Sequence, residues 1–171
     1  GCGRCAEPLG VAGVCGRCQR DPPSFDRVTA PFRYKAPIDL LIKQLKFRDK
    51  LYLARVLGEI LARELALARR PELLVPVPLH PKRLRERGFN QALELARPIA
   101  RHLKLPLQKH GCRRIRVTDS QSSLPASERH QNVKGAFKAT LPPNTRHVPI
   151  VDDVVTTAHT VNELARALKH A

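Results

Sequence analysis

The stretch that most constrains this chain is Val148-Pro-Ile-Val-Asp-Asp-Val-Val-Thr-Thr-Ala-His-Thr-Val161. It opens apolar and β-branched, as a buried parallel strand does. Asp152 and Asp153 stand where that strand would end, and a hydroxyl-rich loop with Thr156, Thr157 and Thr160 follows. Val161, Leu164, Ala165 and Leu168 then recur at i, i+3, i+4 and i+7, the stripe of an amphipathic helix. A strand that passes through a short loop into a helix presents free N–H groups at the helix start, where the helix dipole favours a phosphate. Adjacent carboxylates suit the vicinal hydroxyls of a ribose, because the acids accept and only the sugar need donate. The run therefore reads as an anion site with a polyol clamp at its mouth. The plainer alternative is a solvated strand end followed by threonines that only cap a helix.

Length and charge set the frame for that site. The 171 residues suffice for one core-bearing domain and a small appendage. With aromatic residues at 4%, the core must be mainly aliphatic. A formal net charge of +16 points to a polyanionic partner, either nucleic acid or the phosphates of a small substrate. A basic surface kept for solubility would also explain it. No apolar run approaches the ~18 residues of a membrane span, and a cytoplasmic location is expected. The chain has no Met, opens on Gly1 and stops at Ala171 inside or just after the last helix. It is expected to be part of a longer protein in which another strand follows.

The first 22 residues form a separate unit in this reading. Cys2-Gly-Arg-Cys5 and Cys15-Gly-Arg-Cys18 are two Cys-x-x-Cys knuckles. Their spacing allows Cys2, Cys5, Cys15 and Cys18 to hold one tetrahedral Zn2+. Nothing else in this segment could build a core, so metal binding would supply its folding energy. Two disulfides or a redox dithiol are the alternatives. Cys112 reads as a small buried hydrophobe. Asp21-Pro-Pro-Ser24 is a linker by composition, and residues 23–171 make up the second domain.

Within that domain, Phe25 to Tyr34 is expected to form an edge strand interrupted at Pro31. Ile38, Leu41, Ile42 and Leu45 predict one helix, with Lys43 and Lys46 on its other face. Leu53, Val56, Leu57, Ile60, Leu61 and Leu65 predict a second. Glu72 to Val77 is a buried strand candidate ending at Pro76 or Pro78. A basic loop over residues 78–91 follows, with Lys82, Arg83, Arg85 and Arg87, and a helix starts at Asn90. Arginine forks match phosphate oxygens, so this loop is a pyrophosphate or nucleic-acid contact unless it is merely solvated. Ala92, Leu95, Ala96, Ile99, Ala100 and Leu103 keep helical spacing, with a kink or break expected at Pro98. Residues 113–135 are polar and basic, the composition of a functional lid or a plain surface loop.

The residues Asp152 to Thr160 resemble the phosphoribosyl-pyrophosphate motif of type I phosphoribosyltransferases. Val75-Pro-Val-Pro-Leu-His-Pro-Lys-Arg83, followed by Arg87-Gly-Phe-Asn-Gln91, closely resembles the ComF family, which includes competence and GntX-like proteins. Arg114, Arg116, Thr118, Gln121, Leu124, Arg129, Asn132, Gly135 and Phe137, the four-cysteine knuckle and Lys43-Gln-Leu-Lys-Phe47 complete the pattern. The resemblance implies an α/β fold: a phosphoribosyltransferase-like parallel sheet flanked by helices, with a small zinc-binding domain in front. It implies that Asp152 and Asp153 hold the ribose hydroxyls in a catalytic site. Val154, Val155, Thr156, Thr157, Ala158, His159 and Thr160 would wrap the 5′-phosphate of phosphoribosyl pyrophosphate, with Mg2+ bridging. Lys82, Arg83, Arg87 and Arg114 would take the pyrophosphate, and residues 113–135 would close over it.

The family usually has glycine where this chain has Ala158. A methyl there restricts a turn that glycine makes freely, so weaker phosphate affinity is expected. The activity implied is transfer of phosphoribose to a nitrogen acceptor, in nucleotide metabolism or in DNA uptake during natural transformation. Two other functions fit the same fold: a non-catalytic module for single-stranded DNA, and a phosphoribosyl-pyrophosphate sensor. No residue in the sequence announces a base-recognition group.

Overall fold

The computed structural model describes residues 1–64, 71–116 and 133–171. In chain order these form α1 (Gly16–Arg20), α2 (Ile38–Phe47), α3 (Tyr52–Glu64), β1 (Val75–Pro76), α4 (Pro81–Arg87), α5 (Gln91–Leu103), β2 (Cys112–Arg114), β3 (Phe137–Ala139), β4 (Ile150–Val151) and α6 (His159–Lys169). The protein is α/β with a small parallel ladder. β1 pairs in parallel with β4, Val75 opposite Ile150 and Pro76 opposite Val151. On its other side the same segment bridges in parallel to Leu107, where the Leu74 amide donates to the Pro106 carbonyl at 2.9 Å. β2 and β3 form a separate antiparallel hairpin, Arg113 opposite Lys138.

Strand alternation explains why two cores flank this ladder. Successive side chains of a strand point to opposite faces. Leu74 and Val151 face a cluster built by Ile42, Leu45, Leu57, Leu95 and Ile99 from α2, α3 and α5. Leu73, Val75 and Val77 face the other way, against Phe137, Val161 and Leu164. The apolar stripes of α5 and α6 supply those faces as their spacing predicts. On α3 the stripe is narrower than expected: Leu53 and Leu57 are buried, whereas Val56 and Ile60 face solvent. Leu65 lies outside the described residues.

Three local expectations are corrected. Residues 25–34 form bends and not an edge strand; Val28 donates to the Arg4 carbonyl at 2.6 Å, tying this segment to the cysteine knuckle instead. The basic loop contains a helix, α4, started by Pro81 with the His80 Nδ1 accepting from the Lys82 amide at 3.2 Å. It stops at Gly88, whose φ of 80° is the left-handed cap that glycine favours. Finally, α5 runs unbroken through Pro98. Pro98 packs on Gly58 of α3, where an added Cβ would come within 2.4 Å of the proline ring and 2.7 Å of the Leu95 carbonyl. Gly58 thus lets α3 and α5 approach closely, and the buried proline fills that contact.

The cysteine knuckle is anchored to the rest of the chain. Ser24 donates its amide to Asn162 of α6 at 2.6 Å, and Phe25 touches both the cysteine cluster and the second core. No helix among the described residues is long and apolar enough to cross a membrane.

Candidate functional site

Parallel pairing of β1 and β4 puts the segments after both strands at one edge of the ladder. Ligand sites of open α/β sheets form at such carboxyl ends. The Val77 amide still donates to the Val151 carbonyl at 2.9 Å, so Asp152 is the first residue past the pairing. On the neighbouring side, the Asn90 side chain donates to the Val77 carbonyl at 3.0 Å while its oxygen caps α5 at Ala92 and Leu93. This fixes α4 and its arginines beside the paired acids.

The result is a cleft of about 400 Å³. It is lined by Asp152, Asp153 and every residue from Val154 to Thr160, together with Arg83, Arg87 and Arg114. Lys82 is exposed and is not among the lining residues. Arg116, on the outer side, donates to the Lys134 carbonyl. Thr118, Gln121, Leu124, Arg129 and Asn132 lie outside the described residues, as does most of the expected lid.

Seven lining residues had no site role in the sequence reading: the apolar Val77, Leu79 and Val161, and the more telling Tyr34, Lys46, Phe47 and Gln91. Lys46 forms an ion pair with Asp153, whose side chain is only 4% exposed. Gln91 donates to the other Asp153 oxygen at 3.5 Å and accepts from Arg87 at 2.7 Å. The Arg87 guanidinium lies 5.8 Å from the centre of the Phe47 ring, and that of Arg114 lies 5.4 Å from Phe137. These cation–π contacts hold two arginines toward the cleft. The signal for Lys46 and Phe47 was their place in the Lys43–Phe47 motif, and for Gln91 its place beside Arg87. Neither motif says which distant residue its side chains meet.

The two acids differ in their surroundings. The Asp153 amide donates to Asp152 Oδ1 at 2.9 Å. Burial pushes the Asp152 carboxyl well above the usual carboxylate range; the charge of Asp153 adds to this and Lys46 partly opposes it. Burial also pulls down the guanidinium values of Arg87 and Arg114. Arg83 adds to both effects by repulsion, while Asp153 and Asp152 respectively oppose them. The cleft thus concentrates like charges that a bound anion would separate and compensate.

Ala158 has φ 63° and ψ 7°, the left-handed conformation that L side chains rarely adopt. It stands at the N-cap of α6, which has no side-chain cap. The chain therefore makes the same turn that glycine would, at a strain of roughly 1–2 kcal/mol for the extra Cβ.

At the other end of the molecule, the sulfurs of Cys2, Cys5, Cys15 and Cys18 lie within 4.8 Å of one another, and those of Cys5 and Cys15 are 3.7 Å apart. A tetrahedron with metal–sulfur bonds of about 2.3 Å has edges of roughly 3.8 Å, so the four thiols could hold one metal ion. The amides of Arg4 and Cys15 donate to the Cys2 sulfur at 3.4 and 3.3 Å. Donation from the Cys15 and Cys5 backbones pulls the Cys2 thiol down to about 6. Burial and the neighbouring thiols push Cys18 up to about 12. Four thiolates this close need a cation to coexist. Cys112 is buried in the second core and is not one of this group, and burial raises its thiol to about 11.

Comparison with known proteins places these features in a lineage. No family model and no solved structure matches the chain. The DNA utilization protein YhgH of Salmonella typhi is 39% identical over 98% of this chain and 77% of its own length. The same protein of Escherichia coli K12 is 39% identical over the same shares. Competence protein F of Haemophilus influenzae is 35% identical over 98% of this chain and 78% of its own. Similarity at this level along nearly the whole chain, knuckle and cleft together, shows that the chain belongs to the ComF family.

Proposed function

We propose that the cleft binds phosphoribosyl pyrophosphate as its magnesium complex and that the protein transfers phosphoribose to a nitrogen acceptor. One observation carries this reading: paired acids, a loop leading into an uncapped helix and three arginines from two separate segments line a single cleft. Asp152 and Asp153 accept from the ribose hydroxyls. Residues 154–160 surround the 5′-phosphate, with Thr156, Thr157 and Thr160 as donors. Arg83, Arg87 and Arg114 receive the pyrophosphate, whose charge grows as its bond to the anomeric carbon breaks and the new carbon–nitrogen bond forms. Among the described residues only the four cysteines form a metal-binding group of three or more side chains. Magnesium therefore fits this site as part of the substrate, where it would offset pyrophosphate charge.

The test is calorimetric titration with phosphoribosyl pyrophosphate and magnesium. The wild type should bind, and Asp152→Asn with Asp153→Asn should lower affinity at least about 100-fold, the loss of two charge-assisted hydrogen-bonding groups, with circular dichroism unchanged. Equal affinity in the two proteins refutes the site. Release of pyrophosphate with candidate bases then separates an enzyme from a sensor.

The names of the relatives and the net charge of +16 favour a role in DNA uptake, with single-stranded DNA as a partner. In this second reading the arginines track a phosphate backbone and affinity falls steeply with salt. Binding that is undetectable or independent of salt removes it. We assign zinc to the four cysteines, on the donor set and its tetrahedral spacing. Reduced cysteines used this way fit a cytoplasmic protein.

A further inference from the structure

Tyr34 and Phe47 line the same cleft as the paired acids, yet they are 48% and 69% exposed. The chain has five Phe, two Tyr and no Trp, so aromatic rings are scarce. Neither ring belongs to any of the hydrophobic clusters that build the cores. Core packing therefore does not account for them.

Phe47 is held in place from two sides. Its neighbour Lys46 is paired with Asp153, which fixes the end of α2 at the cleft. Arg87 stands over the ring at 5.8 Å and is itself bonded to Gln91, which reaches Asp153. Arg87 can cover only one face, and the large exposure leaves the rest of the ring open. An aromatic ring with a guanidinium on one face and solvent on the other is a ready surface for a planar heterocycle. Through these contacts the ring is tied to the acids that would grip the sugar.

We propose that Tyr34 and Phe47 form a stacking platform for a nitrogenous base at the mouth of this cleft. This assigns the base-recognition role for which the sequence offered no residue. The base is either that of a small acceptor or nucleotide, or one carried by a single-stranded nucleic acid; the recognised chemistry, a flat π face, is common to both. The inference rests on the sugar-phosphate reading of the cleft, and the experiment separates the two.

The full chain is titrated with adenosine 5′-monophosphate and with ribose 5-phosphate, and separately with base-bearing and abasic single-stranded oligonucleotides of equal length. The wild type should prefer the base-bearing member of at least one pair by roughly 10-fold or more, the range of base–aromatic stacking. In Tyr34→Ala with Phe47→Ala that preference should fall toward one. The base-bearing member of the pair should lose more affinity than ribose 5-phosphate or the abasic strand, whose only loss is the Phe47 support of Arg87. Tyr34→Phe, which keeps the ring, should retain it. A preference confined to adenosine 5′-monophosphate identifies a small acceptor; one confined to the oligonucleotide identifies a strand. If ribose 5-phosphate does not bind the wild type but the oligonucleotide preference depends on the two rings, the sugar-phosphate reading fails and the platform stands. Absence of a base preference in both pairs, or its survival in the double variant, overturns the platform.

Discussion

The cysteine knuckle and the acid–arginine cleft solve the same problem, crowding of like charges, in opposite ways. The knuckle takes all its ligands from one short segment, shaped by local bonds such as Cys2 N–H to Glu7 at 2.7 Å and Gly3 N–H to Gly13 at 2.8 Å. Among the described residues the opposite charge beside its thiols is Arg17, bonded to Cys5, and the four sulfurs are close enough to hold one cation. The cleft gathers Lys46, Arg87, Arg114, Asp152 and Asp153 from widely separated segments, over a ladder supported by two aliphatic cores. It compensates part of its charge internally, through Lys46 and Asp153. The comparison teaches that one site is drawn together by a short segment with few contacts of its own, whereas the other is assembled by the packing of the fold.

Metal removal probes that difference with the largest effect. A strong chelator under reducing conditions should unfold residues 1–22, because structural zinc contributes about 10–16 kcal/mol in small knuckles. Hydrogen exchange should show lost protection there while the β1–β4 ladder keeps its own. Protection lost equally in both regions would mean that the two sites are one folding unit, and purified reduced protein without stoichiometric zinc would break the comparison outright.

Asp152→Asn is the next sharpest test, because the cleft should hold a stability cost that the knuckle does not. The folded-state value of Asp152 is raised, so the native protein keeps a proton that the unfolded chain gives up. Its contribution is therefore greatest below the unfolded value of about 3.9 and declines as pH rises toward the folded value. The amide variant removes this decline: at neutral pH its melting temperature should rise, by about 2–4 °C for each kcal/mol recovered, and the gain should vanish in acid. The same proton should be released when a sugar hydroxyl is bound, making ligand affinity increase with pH. A melting temperature lowered at neutral pH would show that Asp152 is stabilised by its surroundings and not burdened by them.

The smallest expected change is at Ala158. Ala158→Gly relieves the left-handed strain, less the unfolded-chain entropy that glycine adds, and should add up to roughly 1 kcal/mol of stability. Ribose 5-phosphate should bind more tightly because loss of the methyl lets the backbone approach the phosphate. Unchanged or weaker affinity in calorimetry would count against a phosphate bound at that turn.

Most residues that line the cleft were named before any coordinates. Asp152 through Thr160, Arg83, Arg87 and Arg114 line one cleft: the resemblance grouped them and local geometry orders the residues within each motif, while the β1–β4 pairing and the Asn90 bond to Val77 bring the motifs together. The amphipathic stripes of α2, α5 and α6 were legible because the helical period puts their apolar residues on one face. Legibility failed where a contact between distant segments decided the outcome. Pro98 reads as a helix breaker until Gly58 is found against it. Residues 25–34 carry strand-like composition but meet no strand edge, so they turn and bond to Arg4 instead. Lys82 has the same charge as its neighbours in α4, and only the orientation of that helix leaves it outside the cleft.

By itself the sequence determined the four-cysteine set of the knuckle, the paired acids at a strand end, and the helices whose periodicity buries one face. Each is a property of neighbouring residues and follows from covalent spacing. Only the tertiary structure decided that Lys46 would neutralise Asp153, that Arg87 would lie across Phe47, and that two exposed aromatic rings would open onto the same cleft as the acids. Those pairings depend on how parallel strands and their helices pack, and packing brings together residues whose separation along the chain carries no trace of the contact.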